Sequence, residues 1–299
     1  MTRWVERIRL LALAPLAALA LAGGGCLPCD DGTGPQCVSP DQGHKPPPPP
    51  LRILYYRTNF DDGTTGPLDV YAYGGGTCEP STEHVDPGSS HSIKCTIPAG
   101  TVGAAALQAW FGHGSLAGLP PDPALNQDVF QEVRFLLAPG AAASIGGTSC
   151  TSLNPTSQFK VHKSVYGQAG NAWNGWVMSN IAPCSDGDIG LFSEPEMWTV
   201  NGEPFPWPNK LSEGTVYDVI YRYHRYTAHN CGTVAVWVNG SKIMDSPCWA
   251  YMGWTNGSTA GLLFWDGAAY LQSGLTPVVV YNLFTQATNY PIGPATPSP

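Results

Sequence analysis

Short segments rich in β-branched and aromatic residues recur along the chain, and no segment shows a sustained helical period. Val234, Val236 and Val238 alternate as in a strand with one buried face, and the Asn239-Gly240 dipeptide that follows favours a hairpin turn. Many strands separated by Gly, Pro and Asn turns are typical of a sandwich or a barrel. We therefore predict an all-β protein with strands at 52–56, 129–137, 158–162, 176–180, 217–226, 233–238, 261–265 and 278–284.

The beginning of the chain predicts export. Arg3, Arg7 and Arg9 precede an apolar run at 10–22, and three glycines follow it. This order is typical of a secretory signal peptide, which we assign to 1–25. Residues 26–50 form a Cys- and Pro-rich tether that ends in five consecutive prolines, a stiff polyproline II segment. We predict one β domain at 51–293 and a disordered tail at 294–299.

Nine cysteines indicate an oxidising compartment. Cys26 follows three glycines and resembles the lipid-accepting cysteine of bacterial lipoproteins, with ordinary signal cleavage nearby as the alternative. Without Cys26 the number of cysteines is even, as a disulfide framework requires. We expect a secreted protein or an outer-membrane or cell-surface lipoprotein. Proximity in sequence favours the disulfides Cys29–Cys37, Cys78–Cys95, Cys150–Cys184 and Cys231–Cys248, although other pairings remain open.

The charge balance limits the partners. The chain has a formal net charge of −8, and charged residues make up 12% of it. A nucleic-acid partner is not expected, because phosphate binding needs a basic stripe. We expect contact with a membrane only through a lipid anchor, and a monomer in solution.

Three distant segments carry polar side chains at every second residue. They contain Glu132 and Arg134, then Gln158, Lys160 and His162, and finally Tyr270 and Gln272. Alternate residues of a strand share one sheet face. These acid, base and cation types would form an acid/base site if the three strands met on one face.

Several segments resemble the concanavalin A-like jelly roll of lectins and glucanases. They are the FDDG turn at 60–63, the strands at 216–220 and 232–240, and the closing strand at 278–283. The resemblance implies a two-sheet antiparallel jelly-roll sandwich.

Three motifs are similar, in their order, to those of β-jelly-roll polysaccharide lyases, the group that includes alginate, glucuronan and heparin lyases. Residues 132–134 match the end of an Arg-x-Glu-Leu-Arg strand, and 160–162 match a Gln-Ile-His strand with Lys160 in place of Gln. Residues 264–272 are similar to Tyr-Phe-Lys-Ala-Gly-x-Tyr-x-Gln, with Asp266 near the expected Lys. The resemblance implies β-elimination on a uronic-acid-containing polysaccharide.

The roles follow from what β-elimination requires. The substrate carboxylate must be neutralised, for which Arg134, Gln158 and Lys160 are candidates. His162 is the candidate base, and Tyr270 is a candidate proton donor or a second candidate base. Glu132 would orient Arg134, and Gln272 would contact substrate.

The segment at 217–226 has two chemically different faces. Asp218, Arg222, His224 and Tyr226 lie on one face, and tyrosines dominate the other. Either face is suited to sugars, and the sequence does not show which one points inward. We take Arg222, His224 and Tyr226 as candidate substrate-binding residues.

Purely structural explanations of these residues remain open. Each candidate residue is also explained as an ordinary surface ion pair, a solvated strand face or a core aromatic. The alternative function is a non-catalytic glycan-binding or adhesion module of the same fold. A glycoside hydrolase built on Glu194, Glu196 and Glu203 fits less well, because catalytic carboxylates flank the scissile bond from opposite sides. No cofactor is required, and structural calcium is compatible with the turn aspartates Asp61, Asp62, Asp186 and Asp188.

Overall fold

The fold of the chain is given by a computed structural model. The structure describes residues 51–112, 114–120, 128–144, 159–167, 173–183, 189–195, 210–224, 233–245, 262–272 and 276–293. The signal peptide, the tether, the lipid-accepting cysteine and the tail that the sequence predicts lie outside these residues.

The described strands form two antiparallel sheets. The eight-stranded sheet has the order β13-β12-β11-β6-β15-β4-β3, with β1 also paired to β15. Its strands are β1 (Leu54–Thr58), β3 (Thr77–Ser81), β4 (Ser92–Ile97), β6 (Asp128–Leu137), β11 (Val216–His224), β12 (Thr233–Val238), β13 (Ser241–Asp245) and β15 (Val278–Thr288).

The seven-stranded sheet has the order β10-β9-β8-β7-β14-β5-β2. Its strands are β2 (Asp69–Tyr73), β5 (Val102–Trp110), β7 (Phe159–Gly167), β8 (Trp173–Pro183), β9 (Ile189–Pro195), β10 (Lys210–Leu211) and β14 (Leu262–Gln272). A 3₁₀ turn at Gly114–Leu116 and a short helix, α1, at Ala141–Ser144 complete the described elements.

The two sheets pack as a sandwich, as predicted. Inward-facing residues from both sheets belong to one hydrophobic core, which includes Leu107 and Phe264 of the seven-stranded sheet and Val133 and Tyr221 of the eight-stranded sheet. The chain passes repeatedly between the sheets, from β4 to β5 to β6 and again from β14 to β15. This confirms the predicted two-sheet antiparallel jelly-roll sandwich.

Strand β11 shows how alternation of side chains sets the core. Tyr217, Val219, Tyr221 and Tyr223 are buried and belong to the core, whereas the residues between them point to the other side of the sheet. The aromatic face is therefore the inner one. The tyrosines that the sequence offered as a sugar-binding alternative are packing residues.

Two local predictions are confirmed. Asn239 and Gly240 both have positive φ, at 47° and 78°, and connect β12 to β13 as a hairpin. Cys78 and Cys95 face each other on β3 and β4 and form a disulfide. The other cysteines of the predicted pairs lie outside the described residues.

No helix in the described part of the chain has the length and apolar character needed to cross a bilayer.

Gly267 in β14 lies where no side chain fits. Its φ is +151°, and a Cβ would come within 2.4 Å of the Ala105 carbonyl oxygen and 2.6 Å of the Ala106 Cα. Backbone atoms of β5 cannot yield as a flexible side chain would. The absence of a side chain at this point lets β14 and β5 approach each other.

We expect Gly267→Ala to lower the free energy of unfolding by about 2 kcal/mol or more, because the added methyl group collides with the backbone of β5. Gly118→Ala is the matched control, since a Cβ there meets nothing within 4 Å. Chemical denaturation of both variants measures the difference. Equal stabilities would show that β14 relaxes without cost.

Candidate functional site

His162 lies between the two sheets and not in an open groove. Its side chain is about 3% exposed. Its Nδ1 is hydrogen-bonded to Asp266 Oδ1 at 2.6 Å, and its Nε2 is hydrogen-bonded to the Tyr223 hydroxyl at 2.8 Å. The ring also stacks on Tyr221, with centroids 3.9 Å apart. Both ring nitrogens are therefore engaged by protein groups.

The polar network continues into the eight-stranded sheet. Gln131 of β6 donates from Nε2 to Asp266 Oδ2 at 2.8 Å and contacts the Tyr56 hydroxyl at 3.3 Å. Burial, and secondarily the charge of Asp266, raise the pKa of Tyr56 well above its usual value. All of these side chains are buried. The network joins the two sheets and satisfies most of its buried polar atoms; Gln131 Oε1 has no hydrogen-bond partner among the described residues.

Glu132 and Arg134 lie on the outer face of the eight-stranded sheet. Val133 and Phe135 of the same strand face the core, so their neighbours point away from it. Arg134 donates through Nε and Nη2 to Glu132 Oε1, at 3.1 and 2.9 Å. Its Nη1 donates to both carboxylate oxygens of Asp86, at 3.0 and 2.9 Å.

Arg134 is held by two carboxylates and an aromatic ring. Glu132 is only 2% exposed and also accepts from Gln286. The Arg134 guanidinium lies 4.5 Å from the Phe284 ring centroid. Burial lowers the pKa of Arg134, but its hydrogen bonds to Glu132 and the charge of Asp86 raise it overall. Through these contacts the guanidinium holds the loop of Asp86 against the outer face of the sheet.

The predicted single groove is therefore wrong. Arg134 belongs to the eight-stranded sheet and points outward, whereas His162 belongs to the seven-stranded sheet and points inward. The eight-stranded sheet lies between their side chains. The structure brings Glu132 and Arg134 together but does not bring them to His162.

Arg222 and His224 share the outer face of the eight-stranded sheet with Arg134. Arg222 is partly exposed and lies 3.8 Å from Asp245. His224 Nδ1 lies 2.8 Å from Asp128 Oδ1. Each candidate therefore has an acidic neighbour. Tyr226 lies outside the described residues.

An apolar cavity of about 190 Å³ opens on the same outer face. Its lining consists of Phe130, Ile220, Trp237, Gly240, Pro291 and Ile292. The Lys242 ammonium lies 5.6 Å from the Trp237 ring centroid. The cavity is small, and the lining side chains offer few hydrogen-bonding groups.

The second and third sequence motifs do meet, on neighbouring strands. β7 pairs with β14, with His162 opposite Asp266 and Lys160 opposite Ala269. Tyr270 follows Ala269 at a register irregularity between β14 and β5, and Gln272 is opposite Val102. The side chains of Lys160, Tyr270 and Gln272, and the whole of Gln158, lie outside the described part of the structure, so their roles stay predictions.

The acidic residues considered for structural calcium have structural roles wherever the structure describes their side chains. Asp61 accepts from the backbone N–H of Ser90 at 2.7 Å, and Asp62 accepts from the backbone and hydroxyl of Thr64. The hydrogen bonds of Asp62 are local turn chemistry, and that of Asp61 joins its turn to the segment before β4. Among the described residues, no group of three or more His, Cys, Asp or Glu side chains is placed to hold a metal ion. Asp186, Asp188, Glu196 and Glu203 lie outside them, as does the side chain of Glu194.

Several partners of the candidate residues were not predicted. Tyr223 and Gln131 bond to the His162–Asp266 pair from the opposite sheet, and Asp86 reaches Arg134 from a loop. The sequence leaves the inward face of β11 undecided, and no sequence pattern ties Tyr223 to His162. These contacts depend on how the sheets are stacked.

Neither a protein-family model nor a curated protein matches the chain. Solved structures of similar architecture include the alginate lyase Aly36B, at 12% identity and TM-score 0.48, covering 79% of this chain and 96% of that one. A PL-14 alginate lyase from Aplysia kurodai matches at 8% identity and TM-score 0.48, covering 80% of this chain and 100% of that one.

A glycoside hydrolase family 131 catalytic domain from Coprinopsis cinerea matches at 11% identity and TM-score 0.44, covering 81% of this chain and 96% of that one. At these identities and TM-scores, the similarity carries no information on activity.

Arg134→Ala should destabilise the protein by about 3 kcal/mol, because it leaves the buried Glu132 carboxylate and Asp86 without their cation. Arg57→Ala is the matched control, since Arg57 also lies over the Phe284 ring, at 5.3 Å, but is exposed. Thermal and denaturant unfolding give the comparison. Similar losses in both variants would mean that ring coverage, and not charge pairing, is what matters.

Proposed function

We propose that this protein is an exported polysaccharide lyase that cleaves an acidic glycan by β-elimination at strands β7 and β14. The observation that supports the proposal is the pairing of these strands, with Lys160 opposite Ala269 and Tyr270 next in sequence. The two motifs that resemble lyase motifs thus run side by side in one sheet. Lys160, Gln158, Tyr270 and Gln272 are the residues we assign to the reaction.

The proposed chemistry assigns each step to a group of suitable type. Lys160 and Gln158 bind the uronate carboxylate, and stabilisation of the developing enolate is the largest contribution. Tyr270 takes the C5 proton, a role that requires its phenolate form. The phenol then returns the proton to the 4-oxygen that leaves.

His162 has a positioning role in this proposal. Its hydrogen bond to Asp266 joins β7 to β14 two residues from Lys160. Arg134 has no role in the reaction, because it lies on the outer face of the other sheet, where Glu132 and the loop residue Asp86 bind its guanidinium. These assignments replace His162 as the base and Arg134 as the carboxylate ligand.

A non-catalytic glycan-binding module is the second candidate. The enclosure of His162 and the pairing of Arg134 with two carboxylates favour it, because both residues were expected to act on substrate. In that case the same sheet face would hold a polysaccharide without cleaving it.

Incubation with alginate, glucuronan and heparin tests the proposal. We expect unsaturated products, detected by their ultraviolet absorbance, with at least one of these polymers. Tyr270→Phe should reduce turnover by about 100-fold or more, because proton transfer is lost while the ring is retained.

Tyr290→Phe is the control for the loss of a phenol elsewhere and should not change turnover. The absence of absorbance on all three polymers, together with retained binding, would replace the lyase by the binding module. Full activity in Tyr270→Phe would remove Tyr270 from the mechanism.

We also propose that the protein is attached to a membrane through a lipid on Cys26. The Cys78–Cys95 disulfide supports an oxidising compartment. Expression of the full chain in a bacterium should yield a membrane-associated product whose mass exceeds that of the polypeptide by a lipid. Cys26→Ser should release it in soluble form, and an unmodified wild-type mass would contradict the proposal.

A further inference from the structure

Two tyrosines stand exposed at the edge of the seven-stranded sheet. Tyr71 and Tyr73 of β2 are 39% and 37% exposed, and their ring centroids lie 5.9 Å apart. Strand β2 is at the end of the described sheet, next to β5. Large aromatic side chains are usually more deeply buried than this.

Both tyrosines lie on the outer face of the sheet. Tyr71 is opposite Ala106 and Tyr73 is opposite Ala104. These alanines are buried but do not belong to the core between the sheets, so they point to the outer side. Directly opposed residues share a face, and the tyrosines therefore point outward as well.

The strand register connects the tyrosines to the proposed reaction site. Tyr73 is opposite Ala104, Ala104 is opposite Ala269, and Ala269 is opposite Lys160. This row crosses four neighbouring strands. With a strand spacing of about 4.8 Å, β2 lies about 10 Å from β14. Between β2 and β14 the row holds one residue of β5, Ala104, whose side chain is a single buried methyl group.

The polar groups nearby are suited to sugar hydroxyls. Asp69 lies two residues before Tyr71 on the same face and accepts from the Ser115 hydroxyl at 3.1 Å. Gln108 is opposite Asp69. The face therefore offers aromatic rings for the C–H side of a sugar and amide and carboxylate groups for its hydroxyls.

We propose that Tyr71 and Tyr73 form a stacking platform for a glycan, about 10 Å from β14 and about 14 Å from β7. This proposal rests on the proposed function and extends it by naming a subsite. The carboxylate of Asp69 repels a uronate, so the platform binds the ring faces and hydroxyls of the sugars. The glycan carboxylates that determine specificity are bound nearer Lys160.

Isothermal titration with hexasaccharides of alginate and glucuronan, and with cellohexaose as a neutral probe, tests the platform. We expect the double variant Tyr71→Ala/Tyr73→Ala to raise the Kd of a bound hexasaccharide by about tenfold or more. The double Phe variant should stay within about twofold of wild type, because it keeps both rings.

Val70→Ala is the matched control. Val70 is 47% exposed on the same strand, and it alternates with the tyrosines and so lies on the other face. Its Kd should equal that of wild type, and unfolding midpoints confirm that all variants fold.

The outcomes separate this inference from the lyase. Tyrosine-dependent binding without ultraviolet-absorbing products would support the platform and reject the lyase. Products with an unchanged Kd in the double Ala variant would support the lyase and overturn the platform. No measurable binding of any of the three probes by wild type would also overturn the platform.

Discussion

A hydrogen-bonded polar cluster in an otherwise hydrophobic interior holds the two sheets in one arrangement. His162 and Asp266 come from the seven-stranded sheet, and Tyr223 and Gln131 come from the other. Leaving any one of these buried groups unpaired costs about 1–3 kcal/mol. A sandwich whose sheets slid relative to each other would lose these bonds, so the cluster selects one stacking from the many that apolar side chains tolerate.

The outer face of the eight-stranded sheet is organised by a different interaction. There Arg134 connects a strand carboxylate, Glu132, to a loop carboxylate, Asp86, over the ring of Phe284. The arginine thereby ties this loop to the sheet. Polar chemistry on this side stabilises the scaffold, and the proposed glycan chemistry belongs to the other sheet.

The sequence was sufficient for the fold class and for features whose partners are close in sequence. The Asn239-Gly240 hairpin follows from local turn propensity, and the Cys78–Cys95 disulfide is favoured by the short sequence separation of the two cysteines. Alternation divides the residues of β11 into two faces but does not show which face is buried. Tyrosines and polar residues both suit a sugar-binding face, so only the packing against the opposite sheet identifies the buried one.

The prediction that the three motifs line one groove was wrong for a physical reason. Alternation tells which residues of one strand share a face, but it does not tell which face two distant strands share. Arg134 and His162 each obey the alternation of their own strands, in different sheets. The strand register also shifts between Lys160 and His162 and between Asp266 and Ala269. Side-chain direction on β7 and β14 therefore cannot be obtained by counting alternate residues. A shift of one residue exchanges the two faces of a strand.

The irregularities of β14 separate two duties within one strand. Asp266 belongs to the interior polar cluster. The pairing of β14 with β7 is interrupted between Asp266 and Ala269, although its pairing with β5 runs on to Ala269. Substitutions after the interruption therefore lie outside the hydrogen bonds that hold the two sheets together.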